Sequence, residues 1–288
     1  MDGNIKTLND EFNNKGIQIF SDIYSSQELD EIENILFKNL KKIKSTTPFT
    51  SSKNYSNCSY TIPELNKLIF NDRLIEKLKL CLGSEKLMYT SVLGVQKDML
   101  SGWHKDDGTT LTTDNGYFLK DPYNDETCRV LRVGIYFQDH NKDHPGTHFK
   151  FFSHKKRDLD TGETSFVEGK RGCVSIFDVR LTHSGTFRSK LYNSVINIFP
   201  NKLKPKAVVF LNMIRSFWLK MTNKHKITVW TAFGVPNHNT INYSKIMMKG
   251  QLIQSGGHWN LPLECSELLE SKGIELASKH FNDTDFQN

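Results

Sequence analysis

The sequence predicts an α+β protein, mainly β, in which a helical first part leads into an antiparallel β-sandwich. Before residue 84, apolar residues recur at the three- and four-residue spacing of amphipathic helices. After it, short stretches of β-branched and aromatic residues are bounded by Gly, Asp, Asn or Pro. Their irregular spacing, without alternating helices, disfavours repeats and a parallel α/β sheet.

The length and composition predict one domain. At 288 residues and 37% hydrophobic, the chain can bury a sizeable core. No boundary divides it into independent units. We therefore predict a single domain with a helical part at 1–83, a β core at 84–235 and a C-terminal extension at 236–288.

Three helices are predicted in the first part. Ser25-Ser-Gln-Glu28 has the residues of a capping box, and apolar positions at helical spacing follow it. The stretch from Thr61 to Glu64 repeats that pattern, with a proline early in the helix. A third apolar pattern, from Leu74 to Leu82, stops at Gly83, which is a suitable C-terminal cap.

The second part predicts five strands and one inserted helix. The strands are predicted at 86–97, 129–138, 147–152, 173–179 and 227–233. Between the last two, residues 205–221 have the pattern of an amphipathic helix. The polar segment from Asn237 to Gly257 is predicted to be a loop or lid.

The charges are unevenly distributed. The net charge is +6, yet no acidic residue occurs between Asp178 and Glu264, an interval that carries twelve Lys and Arg. Such a block indicates either a surface or pocket for an anion or lysines that serve only solubility. The first interpretation predicts a small, anionic substrate. Nucleic acid is not expected, because the sequence has no recognised binding module.

The inserted helix leaves two interpretations open. Its apolar residues lie among lysines, so the helix could contact an acidic membrane surface. Such a stripe is more often part of the core, and that interpretation is preferred. The stripe comprises Val208, Leu211, Ile214, Phe217 and Trp218.

Several features predict a soluble cytoplasmic protein. The N-terminus is polar with mixed charge, unlike a secretory signal. The longest apolar run, Ala207–Leu211, is far shorter than a membrane span. The five cysteines are dispersed and lack Cys-x-x-Cys spacing, which predicts reduced thiols. They are Cys58, Cys81, Cys128, Cys173 and Cys265.

The stretch SGWHKDDGTT, at 101–110, contains a candidate pair of metal ligands. In an extended segment, His104 and Asp106 lie on one face and Asp107 on the other, where we expect it to be solvated. A further histidine would complete a two-histidine, one-carboxylate triad of the kind that binds Fe(II). The candidates are His140, His144, His148, His154 and His183. His183 stands out, because it follows an apolar strand and precedes Ser-Gly.

Three runs together resemble a known family. RVGIYFQDHNKDHPGTHFKFFSHK, GCVSIFDVRLTHSG and ITVWTAFG occur in this order. They resemble the core of phytanoyl-CoA dioxygenase-like enzymes, over roughly residues 10–245 and most strongly at 103–185. The resemblance implies a double-stranded β-helix (jelly-roll, cupin-like) core with N-terminal helices and an inserted helix before the last core strand. It also implies Fe(II) held by His104, Asp106 and His183, with 2-oxoglutarate and O₂ as co-substrates. His154 would be structural.

The family's other site residues transfer less directly. The resemblance makes Asp178 and Arg180 candidates for orienting the ligands. The family binds the far carboxylate of 2-oxoglutarate with an arginine at the start of the strand after the second histidine. Arg188 follows His183 too closely for that position, so Lys224 is slightly preferred over Lys226, with Arg188 as the third choice. In addition, Trp103 and Lys105 are expected to shape the mouth of the site.

The function predicted by the resemblance is that of a 2-oxoglutarate-dependent dioxygenase. The substrate would be a small, anionic metabolite: a CoA thioester, an activated or lipid-linked sugar, or a natural-product intermediate. Asp106 favours hydroxylation or desaturation over halogenation, because related halogenases lack the carboxylate ligand. Two alternatives stay open: a cupin-type metalloenzyme that ignores 2-oxoglutarate, and a non-catalytic jelly-roll binding protein.

Overall fold

The computed structural model describes residues 2–43, 45, 53–99, 101–109, 115–185, 198–200, 203–222 and 225–286. Their α-helices are α1 (Asp2–Lys15), α2 (Ser26–Asn39), α3 (Cys58–Thr61), α4 (Glu64–Ile69), α5 (Asp72–Leu82), α6 (Lys204–Thr222), α7 (His238–Ser255) and α8 (Leu263–Ser271). Their strands are β1 (Ile17–Phe20), β2 (Lys53–Tyr55), β3 (Leu87–Lys97), β4 (Val130–Tyr136), β5 (His148–Phe151), β6 (Glu163–Phe166), β7 (Val174–Asp178), β8 (His183–Ser184), β9 (Ile227–Gly234) and β10 (Ile274–Leu276).

The strands form two sheets. The larger has the order β1-β7-β4-β9-β3-β10, with β2 also paired to β3. Its pairs are antiparallel except β10 with β3. The smaller sheet has the order β6-β5-β8 and is antiparallel. Side chains of both sheets meet in one apolar cluster, which includes Phe149 of β5 and Trp230 of β9. The predicted jelly-roll architecture is confirmed.

Helices cover the other face of the larger sheet. In β9, Ile227, Val229 and Phe233 pack into the main core with α2 to α5 and α8, whereas Trp230 points to the smaller sheet. This alternation follows the two-residue period of a strand. Because both faces are covered, every residue of β9 is buried.

The local signals at two predicted helices are confirmed. Ser25 and Glu28 form the reciprocal capping box of α2. Gly83 ends α5 at φ 62°, in the left-handed region where glycine avoids the steric penalty of a Cβ. The second helix differs from its prediction: α3 ends at Thr61, and α4 begins at Glu64 without a side-chain cap.

Two predictions for the second half are wrong. Asn237 to Gly257 is not a loop, because Asn237 caps α7, which runs through most of that segment. The inserted helix is confirmed as α6, but its stripe is not core. Ile214, Phe217 and Trp218 are exposed. Leu211 is half-buried, and the side chain of Val208 lies outside the described residues.

All five cysteines are buried and unpaired, in agreement with the prediction of reduced thiols. Among the described residues, no helix combines the length and apolar character needed to cross a bilayer.

Candidate metal centre

Three side chains converge at the end of the smaller sheet. One ligand atom each of His104, Asp106 and His183 lies within 4.8 Å of the others. The histidine Nε2 atoms stand 3.7 Å and 3.6 Å from the two carboxylate oxygens of Asp106. The backbones explain this convergence: His104 and His183 exchange two hydrogen bonds of 2.9 Å, so their side chains share a face. Asp106 is two residues after His104, so its side chain lies on the same face.

The hydrogen bonds of both imidazoles leave Nε2 available as a ligand. His104 donates from Nδ1 to the carbonyl of Gly102 at 2.8 Å, and His183 donates from Nδ1 to that of Leu181 at 3.0 Å. A carbonyl only accepts, so Nδ1 carries a proton in each ring, and Nε2 of the neutral ring then presents a lone pair. Such a contact fixes both the tautomer and the ring orientation of a metal ligand.

The electrostatics favour the ligating forms of His183 and Asp106. Burial lowers the pKa of His183 to about 4, with His104 adding to the effect. Burial alone would raise the pKa of Asp106, but Arg132, His183 and His104 hold it below its ordinary value. Two neutral imidazoles and one carboxylate fit a divalent transition metal, with coordination positions left open.

Lys105 anchors the ligand segment and does not shape a mouth. It points away from His104 and Asp106 and is 3% exposed. Its Nζ donates to the carbonyls of Ser153, Lys156 and Arg180 at 2.7, 2.9 and 2.5 Å. Burial lowers its pKa to about 8.

The expectation that Asp107 is solvated is wrong. Its side chain is fully buried and accepts hydrogen bonds from Tyr123 Oη at 2.6 Å and from both the amide and the hydroxyl of Thr109. A buried carboxylate requires such partners. Asp107 therefore fixes the turn that follows the ligand segment.

Trp103 also lies on the face opposite to the ligands. Its ring meets the edge of His148 at 6.5 Å between centroids, and Lys150 Nζ lies 5.3 Å from the ring centre. In β5, Phe149 pairs with His183 and shares its face, so His148 and Lys150 point outward. Trp103 was expected at the mouth of the site, but its ring packs against His148 and Lys150 on the face opposite to the ligands.

Asp178 and Arg180 form a buried ion pair behind the ligands. Arg180 donates from Nε and Nη2 to the two oxygens of Asp178 at 2.8 and 2.6 Å. Although burial raises the pKa of Asp178, Arg180 holds it below its ordinary value. Val179 lies between them, and its backbone carbonyl accepts a hydrogen bond of 2.8 Å from the amide of Asp106. The pair thus shapes a turn that holds the backbone of one ligand.

The other four histidines have separate contacts. His154 donates from Nε2 to the carbonyl of Asn13. His148 meets Trp103, and the rings of His140 and His144 stack at 5.9 Å. Of the five candidates, His183 is the one whose ligand atom meets His104 and Asp106.

A narrow cavity of about 30 Å³ contains Lys226. Its wall is hydroxyl-rich, with Tyr136, Thr147 and Thr228, and it reaches Gly185, two residues beyond His183. Lys226 Nζ donates to the carbonyl of Pro145 at 2.5 Å, and its backbone amide donates to Asp98. The other two candidates for 2-oxoglutarate, Lys224 and Arg188, lie outside the described residues.

A second, larger cavity of about 270 Å³ contains Arg132. Arg132 Nε lies 3.5 Å from Asp106 Oδ2, so this cavity adjoins the ligands. Among the described residues, Nε and Nη1 of Arg132 are buried and have no hydrogen-bond partner. Polar side chains line much of the remaining wall: Asn54, Ser56, Gln96, Gln251 and Gln254.

Trp230 lies between the two cavities and lines both. Its position depends on Gly134, directly opposite on β4, where an added Cβ would approach the Trp230 ring to 2.5 Å. Its ring is also flanked by Tyr136 and Phe177 in edge contacts. The indole, together with Gln96, thus stands between the cavity that Lys226 lines and the one that Arg132 lines.

Sequence reasoning missed Arg132 and the wall formed by α7. A signal for Arg132 existed, because a charged residue within RVLRVGIYFQ is unusual in a strand buried on both faces. No comparable signal marked α7. Its apolar residues contact different neighbours on several sides, since Tyr243 and Met248 belong to separate clusters.

Neither a family model nor a curated protein matches the sequence. Solved structures match the fold. The epimerase SnoN, in complex with Fe3+, alpha ketoglutarate and nogalamycin RO, aligns at a TM-score of 0.56 and 12% identity, covering 82% of this chain and 85% of its own. The chain shares their fold. The non-heme alpha ketoglutarate dependent carbocyclase SnoK aligns at 0.53 and 11% identity, covering 79% and 83%. EctD from S. alaskensis, with 2-oxoglutarate and 5-hydroxyectoine, aligns at 0.52 and 14%, covering 80% and 75%.

Proposed function

We propose that this protein is an Fe(II)- and 2-oxoglutarate-dependent dioxygenase that hydroxylates a small anionic molecule. The observation that carries the proposal is the convergence of one ligand atom each of His104, Asp106 and His183 within 4.8 Å of one another. The structures that share the fold include proteins described with iron or 2-oxoglutarate. These structures include an epimerase and a carbocyclase, so the choice of hydroxylation rests on the family resemblance of the sequence.

His104, Asp106 and His183 would hold the metal. When bound, Fe(II) supplies open coordination positions for 2-oxoglutarate and O₂ and the oxidising capacity needed for an unactivated C–H bond. Burial favours the neutral form of His183, and Arg132 favours the ionised form of Asp106, as ligation requires.

Lys226 is the described residue that fits the far carboxylate of 2-oxoglutarate. It lies at the start of β9, the strand after the second histidine, as the family pattern requires. The surrounding hydroxyls of Tyr136, Thr147 and Thr228 can donate to the same carboxylate. A lysine would bind there as a point charge, without the two parallel hydrogen bonds of arginine.

Arg132 supports an anionic substrate in the larger cavity. A buried guanidinium needs partners. Asp106 lies 3.5 Å from Arg132 Nε, the Trp230 ring centre lies 5.7 Å from the guanidinium carbon, and Tyr243 is a further neighbour. A carboxylate or phosphate of the substrate would complete its hydrogen bonds. The amides of Gln96, Gln251 and Gln254 would contact hydroxyls or carbonyls of the same molecule.

Turnover of 2-oxoglutarate without added substrate tests the function. With Fe(II) and O₂, the wild type should form succinate slowly, and His104→Ala and Asp106→Ala should form none. His238→Ala is the matched control, because His238 is exposed at the start of α7 and outside both cavities. Succinate formation that survives in both ligand variants would refute the assigned site.

A substrate panel separates the remaining reactions. Incorporation of one oxygen atom from ¹⁸O₂ into a product identifies hydroxylation, whereas product without label identifies desaturation or epimerisation. Iron-loaded, folded protein that forms no succinate with any trial substrate would contradict the oxygenase proposal. Activity with Zn²⁺ or Mn²⁺ and without 2-oxoglutarate would identify a cupin-type metalloenzyme instead.

A further inference from the structure

Helix α6 presents an apolar face to solvent. Six large apolar side chains, at the spacing of one helical face, are between 51% and 71% exposed. They are Phe210, Met213, Ile214, Phe217, Trp218 and Met221. Leu219, by contrast, is 3% exposed, so another side of α6 packs against the protein. Single exposed apolar residues are ordinary, but a continuous stripe over three helical turns marks an interaction surface.

The charge around this stripe is of one sign. Helix α6 contains Lys204, Lys206, Arg215 and Lys220 and no acidic residue. It also lies within the interval from Val179 to Leu263, which has no Asp or Glu. A partner for this face must therefore combine an apolar region that can bury the stripe with negative charge.

We propose that α6 lies in the surface of an anionic lipid bilayer and holds the protein there. Interfacial helices combine a Trp- and Phe-containing apolar face with Lys and Arg, and they lie in the plane of the membrane. The face of α6 has that composition, since it includes Phe217 and Trp218, which are 68% and 51% exposed. Anionic headgroups supply the negative charge that the acid-free interval requires.

A second copy of the chain fits this face less well. A twofold contact between two α6 helices would bring two acid-free, basic segments together. Like charges placed opposite each other in an interface are unfavourable. An anionic bilayer offers both an apolar interior for the stripe and negative charge for the lysines. We therefore prefer it to a second copy of the chain.

Flotation of the full-length protein with vesicles tests the proposal. We expect binding to vesicles of phosphatidylcholine mixed with phosphatidylglycerol, and much weaker binding to phosphatidylcholine alone. Higher salt should weaken the binding to the mixed vesicles. The double variant Phe217→Ser, Met221→Ser should partition at least ~10-fold less, because it removes two of the most exposed apolar side chains.

The matched control is Ile253→Ser with Leu263→Ser. These residues are 70% and 72% exposed and lie outside α6. They should leave vesicle binding unchanged. An equal loss of binding in the control, or no loss in the α6 variant, would overturn the proposal.

Two further readouts keep the proposal testable. Brominated phosphatidylcholine in the mixed vesicles should quench a component of the tryptophan fluorescence that Trp218→Phe removes, even if the double variant does not fold. Absence of this quenching would overturn insertion of α6. If sedimentation velocity shows a dimer that the double variant dissociates, and vesicles do not bind, the face belongs to a second copy. Neither readout needs iron, 2-oxoglutarate or turnover, so each can fail independently of the proposed oxygenase activity.

Discussion

At the scale of single residues, the carboxylate of Asp106 faces one permanent cation. Arg132 Nε lies 3.5 Å from Oδ2, and both side chains are largely buried. An arginine so placed competes with a metal for the carboxylate unless another anion engages it. This is the physical reason for assigning to Arg132 the anionic part of the substrate.

Replacing Arg132 by methionine tests that assignment. In the wild type, we expect carboxylated or phosphorylated trial compounds to change the rate of succinate formation more than their uncharged counterparts do. Arg132→Met should abolish this difference, because the cation that distinguishes the two classes is gone. The KM for 2-oxoglutarate should change little, since Trp230 separates Arg132 from the lysine cavity. A KM raised as strongly as by a Lys226 variant would instead place 2-oxoglutarate beside Arg132.

Replacing Lys226 by methionine should raise the KM for 2-oxoglutarate about 10-fold or more. A hydrogen bond to a charged group is worth about 1.5–3 kcal/mol, and each 1.4 kcal/mol is about a factor of ten. Lys226→Arg should retain most of the affinity because it keeps the charge. Lys170→Met is the control, because Lys170 is 87% exposed and pairs with Asp139. An unchanged KM in Lys226→Met would transfer the role to Lys224 or Arg188.

The residues that sequence reasoning found and those it missed differ in a physical way. His104 and Asp106 are two residues apart in an extended segment, and the family resemblance implies them as ligands together with His183. The burial of Lys105 and Asp107 depends on Ser153, Arg180 and Tyr123, which are distant along the chain. No local pattern shows that a lysine will meet three carbonyls.

At the scale of elements, long strands were predictable and short edge strands were not. β3, β4, β7 and β9 are largely buried, so apolar and β-branched residues predominate in them. β1 and β10 have four and three residues, and their pairing with β7 and β3 is fixed by tertiary contacts. Helix α7 lines a polar cavity, so its sequence lacks a single apolar stripe.

The turn between β7 and β8 depends on the buried pair of Asp178 and Arg180. We expect Asp178→Asn to lower the free energy of unfolding by about 3–5 kcal/mol, because it leaves a buried guanidinium without its counter-ion. The double variant Asp178→Asn, Arg180→Gln should lose less than the sum of the two single changes. Denaturant unfolding of the four proteins in a double-mutant cycle measures this coupling.

An exposed pair provides the comparison for that cycle. Asp139 and Lys170 pair at 3.0 Å with side chains 52% and 87% exposed, so Asp139→Asn should change stability by about 0.5 kcal/mol or less. If Asp178→Asn destabilises no more than Asp139→Asn does, the buried pair does not shape the turn that holds Asp106.

At the scale of the whole molecule, the segment between β4 and β5 is held against β9 through a histidine that must stay neutral. His140 is 3% exposed and lies beside β9. Ile227 donates its amide to Oε1 of Gln138, so the amide nitrogen of Gln138 faces His140 Nε2 at 2.8 Å. That nitrogen can only donate, so Nε2 must accept, while Nδ1 donates to the carbonyl of His144. The network therefore admits only the neutral ring.

The stability of the protein should consequently fall in mild acid. Burial lowers the pKa of His140 to about 4; Lys226 and His144 also lower it, whereas the hydrogen bond to His144 and the charge of Asp139 oppose the shift. Above pH of about 6.5 the ring is neutral in both folded and unfolded chains, so it contributes no pH dependence. Below that value the unfolded chain binds a proton that the folded chain refuses, and stability declines until the pH approaches the folded pKa. Between pH 7 and 5 the loss attributable to His140 is about 2 kcal/mol.

Denaturant unfolding at pH 7 and pH 5 measures this loss. His140→Gln should be less stable than the wild type at pH 7, because a buried network is disturbed, but its stability should change less between the two pH values. His238→Gln should retain the full wild-type pH dependence, since His238 is exposed. If His140→Gln and the wild type lose equal stability between pH 7 and 5, the proton is taken up elsewhere and His140 is not the group that must stay neutral.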